Sequence, residues 1–590
     1  MGVRSYEDPP GWAAIPRRAF LLRPLLGAAL GVFAVVLVAL LANGRPIGAG
    51  DTRANERVAV SLVQEGNFDL DEAPEVEPPF AVPVGAHRVS IYPVLSSVMA
   101  VPVFAAGRSL FALDETGSAL AGKLAAALFS ALAAAVLFLA VCARGQREGA
   151  FWVAVVFAIG TSVCSSSQAL WQHPAAVLFL CLALLCLARA EDDAAWAGRA
   201  GLPLALAVAA RHADVALAAV LVLGIGLRWP RRLPWLLLWA LPAVAFVLAY
   251  DWAYFGSPLR HGFSDSLARF SAPLGVGHLG LLVSPAKGLL VFTPLVLVAL
   301  AGLVPALRRG ERWWVLTLGG AAAAHWLLMG QWGEWHGGES WGPRLLTDAL
   351  PLLFLFLPEG LERLPRLGLA LAAWSIGVQV LGAFAYDYGW ERQHQRAGES
   401  PPLWDLQDNP ILFHLERRVL ILAAPAVKDG KAYVRESPLV LFGPSGSRLS
   451  FARDRLEGTG SVPTFGDAHL QRGARIENGR LVLQGRWAAV FLRLRDEARP
   501  RRLQLRIAAR GQGVLYVGER SFWTPGTRWT TYPLGGRALI RHPYYFPESG
   551  GGDLLVTTGL GGGQAEIEWI TLVPPGEPVD ALHVDETGSR

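Results

Sequence analysis

The densest collection of reactive side chains in the sequence is WGEWHGGESWGPR, residues 332–344. Three tryptophans alone would describe an aromatic belt at a membrane–water boundary. Glu334, His336, Glu339 and Arg344, set among glycines, are more than a belt requires. Glycine lets a backbone approach a ligand closely, and flat rings such as that of Trp335 stack on sugar rings and lipid tails. His336 with either glutamate could imitate a metal site, but one histidine with no second nearby is a weak signal. Asp51, in GAGDTR, is a candidate general base. Arg53 and Glu56 are the nearby alternatives, and a solvated loop charge or a helix cap is the plain reading. Arg211 and His212 interrupt an apolar stretch, where a charge is costly unless it faces a polar cavity or a partner. A turn between two helices is the simpler account. Lys287, in SPAKG (284–288), either snorkels to lipid phosphates or binds one phosphate specifically. Trp171 and His173 stand in WQHP (171–174), as an interfacial ring and a wet histidine or as ligand contacts.

The elements that must carry these residues are apolar runs. A span takes about 20 apolar residues. The sequence offers eleven candidates, at 24–43, 119–143, 149–167, 172–190, 199–211, 213–228, 233–254, 286–307, 313–331, 344–359 and 366–386. Short arginine-rich connections recur between them: Arg144/Arg147, Arg189/Arg199, Arg228/Arg231/Arg232, Arg308/Arg309/Arg312 and Arg363/Arg366. Such loops stay on the cytoplasmic side. With the N-terminus inside, eleven crossings leave the C-terminus outside and put the polar clusters on the outer face. The stretch 90–113, with Pro93 and Pro102, then must not cross and reads as a surface or re-entrant helix. The segment from Asp51 suits a short amphipathic helix on the membrane surface.

Composition agrees. Only 17% of the 590 residues are charged and mean hydropathy is +0.36, whereas a soluble chain carries about 25% charged residues. The net charge of +5 is accounted for by cytoplasmic loops, so no nucleic-acid partner is expected. The four cysteines, Cys142, Cys164, Cys181 and Cys186, show no disulfide framework and no metal spacing. The run after Arg17, Arg18 and Arg23 reads as a retained first span rather than a cleavable signal. From about 438 the pattern alternates: 480–494, 501–510, 513–519, 553–560 and 565–573 read as strands of a β-sandwich. Trp487, Trp523, Trp529, Tyr544 and Tyr545 there serve either core packing or sugar stacking. The expected organisation is a cytoplasmic N-terminus (1–23), a polytopic α-helical membrane domain (24–386) with an outer loop at 44–118, a connector (387–437), an extracytoplasmic all-β sandwich (438–575) and a tail (576–590).

The ordered motifs resemble the GT-C class of membrane glycosyltransferases, in particular the bacterial branch related to protein O-mannosyltransferases and aminoarabinose transferases. They are Gly50-Asp51 after the first span, Tyr92-Pro93 opening the surface helix, WQHP at 171–174, AVAARH ending at His212, FGSPL at 255–259, SPAKGLLVFTPL at 284–295 and HGGESWGPRLLTDALPLL at 336–353. The resemblance covers about residues 20–430. It departs at Asp51-Thr52, where relatives often have Asp-Glu, and at Lys287, where arginine is frequent. It implies a bacterial inner-membrane enzyme that moves a sugar from a polyprenyl-phosphate donor to a glycan, lipid or protein acceptor on the outer face. Asp51 would deprotonate or orient the acceptor. Arg211, Lys287 and Arg344 would hold the donor phosphate, and Tyr92, His173, Trp335, His336 and Glu339 would contact substrate. Beyond the lipid-linked sugar no cofactor is implied; a divalent metal is compatible with some relatives, and no residue here demands one. The β-region lies outside the shared core and looks like the carbohydrate-binding modules of envelope arabinosyltransferases.

Two readings compete. A lipid or lipid-linked sugar transporter explains intramembrane charge and broken helices, but predicts internal symmetry and polar residues at mid-membrane or on both faces. A non-catalytic envelope protein whose sandwich binds glycan would be indifferent to Asp51.

Overall fold

In a computed structural model the chain divides into two compact units, residues 1–412 and 413–590. The structure describes residues 22–110, 113–264, 270–391, 394 and 400–415 of the chain. In its C-terminal part it describes 439–442, 447–450, 457–458, 470–471, 474–478, 480–485, 488–495, 502–521, 528–545, 551–558 and 563–573. The N-terminal arginines Arg17 and Arg18, most of the expected connector, the tail and the rings of Trp487, Trp523, Trp529, Tyr544 and Tyr545 lie outside the described residues and side chains.

Among the described residues the first unit is helical apart from one hairpin. In order it contains α1 (Leu22–Leu41), α2 (Gly50–Gln64), the hairpin β1 (Ala81–Val84) and β2 (His87–Ser90), α3 (Leu95–Leu110), α4 (Glu115–Ala143), α5 (Ala150–Ile159), α6 (Ser162–Ser166), α7 (His173–Ala190), α8 (Ala195–Arg199), α9 (Gly201–Ala210), α10 (Val215–Arg228), α11 (Leu233–Phe255), α12 (Val276–Val283), α13 (Leu289–Phe292), α14 (Val296–Arg308), α15 (Arg312–Gly330), α16 (Leu350–Phe354), α17 (Leu357–Arg363) and α18 (Pro365–Ala385). Four helical stretches, Glu115–Ala143, His173–Ala190, Pro230–Phe255 and Pro365–Ala385, are long and apolar enough to cross a membrane. The remaining expected runs also fall on helices, but several are broken. The third divides at Gly160-Thr161 into α5 and α6, the eighth at Thr293–Leu295 into α13 and α14, and the tenth begins as a 3-10 turn over Arg344–Ala349. Breaks within an apolar run free backbone groups and make room for ligands.

Small side chains set the packing. α4 buries Ala121, Ala125, Ala126, Ala127, Ala131, Ala133 and Ala134 and packs closely on α1 and α7. In lipid, where the hydrophobic effect offers helices little mutual attraction, such residues let backbones approach and gain dispersion energy. Two arginine-bearing connections meet at Glu359 of α17. Arg144 pairs with Glu311 and lies 3.4 Å from Glu359, and Arg309 reaches Glu359 at 2.7 Å.

α2 is more enclosed than a helix resting on a membrane surface. It packs against α3 and α4 and buries Ala54, Asn55, Glu56, Val58, Ala59 and Val60. Glu56 is only 5% exposed. Burial pushes its carboxyl up to about 8, against the smaller opposing effects of the Leu170 backbone and of Arg53 and Arg57. A folded-state value above the unfolded one means that the folded chain holds the extra proton between about pH 4.5 and 8. Stability is therefore full below that window and falls as pH rises through it, by up to about 1.4 kcal/mol per pH unit. Glu56→Gln is expected to flatten this decline and to melt above the wild type at pH 8. Parallel melting-temperature profiles for the two proteins between pH 5 and 8.5 would contradict it.

The described strands of the second unit form one hydrogen-bonded sheet of eleven strands, β3 (Leu439–Phe442) to β13 (Gly563–Val573). β10 (Arg502–Ser521) and β11 (Arg528–Tyr545) pair along their whole length. On its other edge β10 pairs with β13 from Gln504 to Gly513, then with β12 (Gly551–Thr557) from Tyr516 to Ser521. Side chains from these strands, including Ile507, Leu515, Val517, Ile540, Val556 and Ile567, share one apolar core. The expected strands at 501–510 and 513–519 are thus a single one. β11 was not foreseen because Pro533, Gly535, Gly536 and Pro543 interrupt it. Among the described residues it pairs only with β10, and an edge strand tolerates proline.

Candidate active site

Asp51 opens α2, where a carboxylate suits the positive end of the helix dipole. Gly50 before it allows the close approach of Phe80, whose Cε2 would lie 2.2 Å from any added Cβ. The preceding loop is fixed by hydrogen bonds to distant elements. Asn43 Nδ2 donates to Gln168 Oε1 (2.9 Å) and to Ala383 O (2.8 Å), Arg45 donates to Tyr386 O (2.6 Å), and Ile47 N donates to Gln168 O (2.9 Å). Asp51 is thereby brought to Arg344, whose Nη1 donates to its Oδ2 at 2.5 Å. The side chains are 10% and 19% exposed. Trp171 lies beneath the guanidinium, 4.2 Å from ring centroid to Cζ, and this cation–π contact fixes its plane.

Arg344 and Trp171 line a cleft of about 380 Å³ whose walls also include Glu339, Trp341, Tyr386 and Tyr388, and Asp51 stands behind it on the guanidinium. Such a cleft offers one fixed cation, a carboxylate and flat aromatic faces. The 332–344 loop that supplies Glu339 and Arg344 turns through Gly337 and Gly338, both left-handed (φ 73° and 64°), a conformation in which a Cβ is strained. Lys287 pins this loop. It is 1% exposed, and its Nζ donates to Ser340 O (2.5 Å) and Gly338 O (3.0 Å) and pairs with Glu391 (3.3 Å). Tyr386 donates to the same Glu391 oxygen (2.8 Å). His336 Nδ1 accepts from Gly338 N (3.1 Å). Burial, followed by the charges of Lys287 and Arg344, lowers its imidazole to about 4, so it is neutral at pH 7.

Arg211 and His173, expected at the ligand, turn onto Asp348, which is fully buried. Arg211 Nη1 donates to Asp348 Oδ2 at 2.6 Å, and His173 Nδ1 lies 3.0 Å from the same atom. Asp214 and His325 complete the cluster, 3.3 and 3.4 Å from Arg211 Nη1. Asp214, His325 and Asp348 are close enough to hold a metal ion, but the guanidinium already stands where that cation would. A second such group, Asp69, Asp71 and His87, belongs to the β1–β2 hairpin region, with His87 Nδ1 2.7 Å from Asp71. Asp348 follows Arg344 by one turn of the same 3-10 segment, so the buried cluster governs the orientation of the segment that carries the cleft-lining arginine.

The expected residues therefore separate. Glu339 and Arg344 line the cleft, and Asp51 is held against Arg344. Lys287 and His336 support the loop behind it, and Arg211 and His173 form the buried cluster. Trp335 is buried over Gly280, and Tyr92 lines a different cavity. Sequence reasoning overlooked Tyr386, which closes the last apolar run, and Tyr388 and Glu391, which follow it, with no motif to mark them. It also overlooked Asp348, whose signal was present as a lone carboxylate inside an apolar run.

No known family model and no curated protein matches the sequence. Among solved structures the chain is similar to the oligosaccharyltransferase of Archaeoglobus fulgidus. The apo form aligns at 14% identity with a TM-score of 0.38, over 65% of this chain and 58% of that one. The form with zinc and sulfate aligns at 15% and 0.38, over 65% and 56%. The form described as AglB with an inhibitory peptide and a dolichol-phosphate aligns at 12% and 0.36, over 64% and 60%. The chain spans less than two thirds of the length of these structures. The side chains themselves, rather than these loose likenesses, carry the functional reading.

Proposed function

We propose that the chain is a multi-pass membrane glycosyltransferase that moves a sugar from a polyprenyl-phosphate donor to an acceptor hydroxyl or phosphate on the outer face of a bacterial inner membrane. The observation that carries this reading is the Asp51–Arg344 pair over Trp171, whose arginine lines an aromatic cleft. The arginine occupies the carboxylate oxygen that would take a proton. The donor phosphate competes for that guanidinium and frees the carboxylate. For a hydroxyl acceptor, its oxygen attacks the anomeric carbon, Asp51 takes the proton, and the carbon–oxygen bond to phosphate breaks with its electron pair leaving on the phosphate. Arg344 then meets a charge that grows during the step, so it stabilises the transition state more than the ground state. Tyr386, Tyr388, Trp341 and Glu339 offer stacking faces and a hydrogen-bond acceptor to the sugar. Lys287 and Arg211 act at one remove, by fixing the 337–340 backbone and the Asp348 segment. Eleven crossings with the N-terminus inside suit this chemistry, and the β-rich unit then stands outside, where it binds glycan.

The test is mass spectrometry of lipid-linked sugars in a deletion strain, with transfer by the purified full-length chain as the second arm. One polyprenyl-linked sugar should accumulate and serve as donor in vitro. An unchanged lipid-linked pool together with no transfer would sink the proposal.

A further inference from the structure

A second cavity, of about 310 Å³, shares no wall residue with the cleft. It lies between the end of α9, the segment after β2 and the C-terminal end of α11, and its walls include Tyr92, His212, Tyr250, Asp251, Phe255 and His261. Asp251 is 4% exposed, and among the described residues it has neither a hydrogen bond nor an ion pair. The hydroxyl of Tyr250 and Nδ1 of His212 are likewise buried without a partner among the described residues. His261 does not supply the missing charge. Its Nδ1 accepts from Phe263 N (3.1 Å), and burial holds the imidazole below its ordinary value. Among the described residues no lysine or arginine lines the cavity. A buried carboxylate with no counter-charge is costly, and three polar groups around one space with no partner among the described residues call for an occupant.

We propose that this cavity binds a primary ammonium group, with Asp251 as its counter-ion. An ammonium has three N–H donors, and Asp251, the Tyr250 oxygen and His212 Nδ1 are three acceptors. Tyr92, Tyr250 and Phe255 add aromatic surface that attracts a cation. A quaternary ammonium would leave the three acceptors unmet. The shared chemistry fits both an ethanolamine lipid headgroup and a soluble primary amine. The cavity does not depend on the transferase reading, because none of the groups assigned to sugar transfer takes part.

The full-length chain is delipidated in detergent and titrated with phosphatidylethanolamine, phosphatidylcholine and free ethanolamine, with bound ligand counted by native mass spectrometry. Phosphatidylethanolamine should bind at least about tenfold more tightly than phosphatidylcholine, and Asp251→Asn should remove the preference. The variant should melt no lower than the wild type without ligand, since it loses an unpaired charge. Tyr250→Phe, which keeps the ring, should weaken the preference severalfold and guards against a fold defect in the first variant. Competition by free ethanolamine would assign a soluble amine. Retained lipid preference without such competition would assign a headgroup. Equal binding of the two lipids with no binding of ethanolamine, or a preference that survives Asp251→Asn, would overturn the proposal.

Discussion

Asp51→Asn is expected to cut sugar transfer by about 10²–10⁴-fold, the range lost with a general base, while leaving lipid-phosphate binding unchanged or tighter. The second half of this expectation follows from the geometry. Arg344 is held by Asp51 at 2.5 Å. Asparagine keeps the shape but gives up the charge, so the guanidinium is released toward an incoming phosphate. Trp171 continues to hold its plane. A ligand would then meet a less occupied cation in the variant. Binding of a polyprenyl phosphate to the purified chain, measured beside turnover with the sugar-bearing donor, separates the two effects. A variant that loses affinity and rate together would mean that Asp51 builds the site rather than acting in it. A variant with normal turnover would remove it from the reaction altogether.

Asp348→Ala should destabilise the helical unit by about 3–5 kcal/mol, the cost of leaving a buried charge without its partner. Asp348 accepts from Arg211 at 2.6 Å and faces His173 at 3.0 Å. After truncation Arg211 retains Asp214 at 3.3 Å, a poorer partner. The 3-10 turn from Arg344 to Ala349 also loses its anchor, so transfer should fall even in molecules that remain folded. A double-mutant cycle reads the coupling. Arg211→Met in the Asp348→Leu background should recover much of the melting temperature, because matched apolar replacement of a buried ion pair is often close to neutral. Strictly additive losses would show that the two side chains do not depend on each other.

The chemistry of individual residues was legible in the sequence to different depths. The apolar runs were read close to where helices stand, because hydropathy is a local sum that survives whatever the chain does elsewhere. The breaks within them, at Gly160-Thr161 and Thr293–Leu295, were not, since an interrupted helix and a continuous one share the same composition. The glycines of 332–344 and the carboxylate of Asp51 signalled a site by type. Lys287 and Arg211 signalled one equally well, yet the first is spent on carbonyls and the second on Asp348. Tyr386 and Tyr388 had no local signal, because nothing in their neighbours says that they return to the loop before α2.

What the sequence alone determined, then, is inventory: a chain rich in membrane-compatible helices, a strand-rich C-terminal region, and a small set of charges that apolar surroundings make costly. Which charge neutralises which was decided only by tertiary packing. Asp51 and Arg344 stand 293 residues apart, and Arg211 and Asp348 stand 137 apart. Several anions in the chain could satisfy each arginine. A buried ion must have a partner within a few ångströms, and only the fold brings Asp51 that close to Arg344, and Asp348 with Asp214 that close to Arg211.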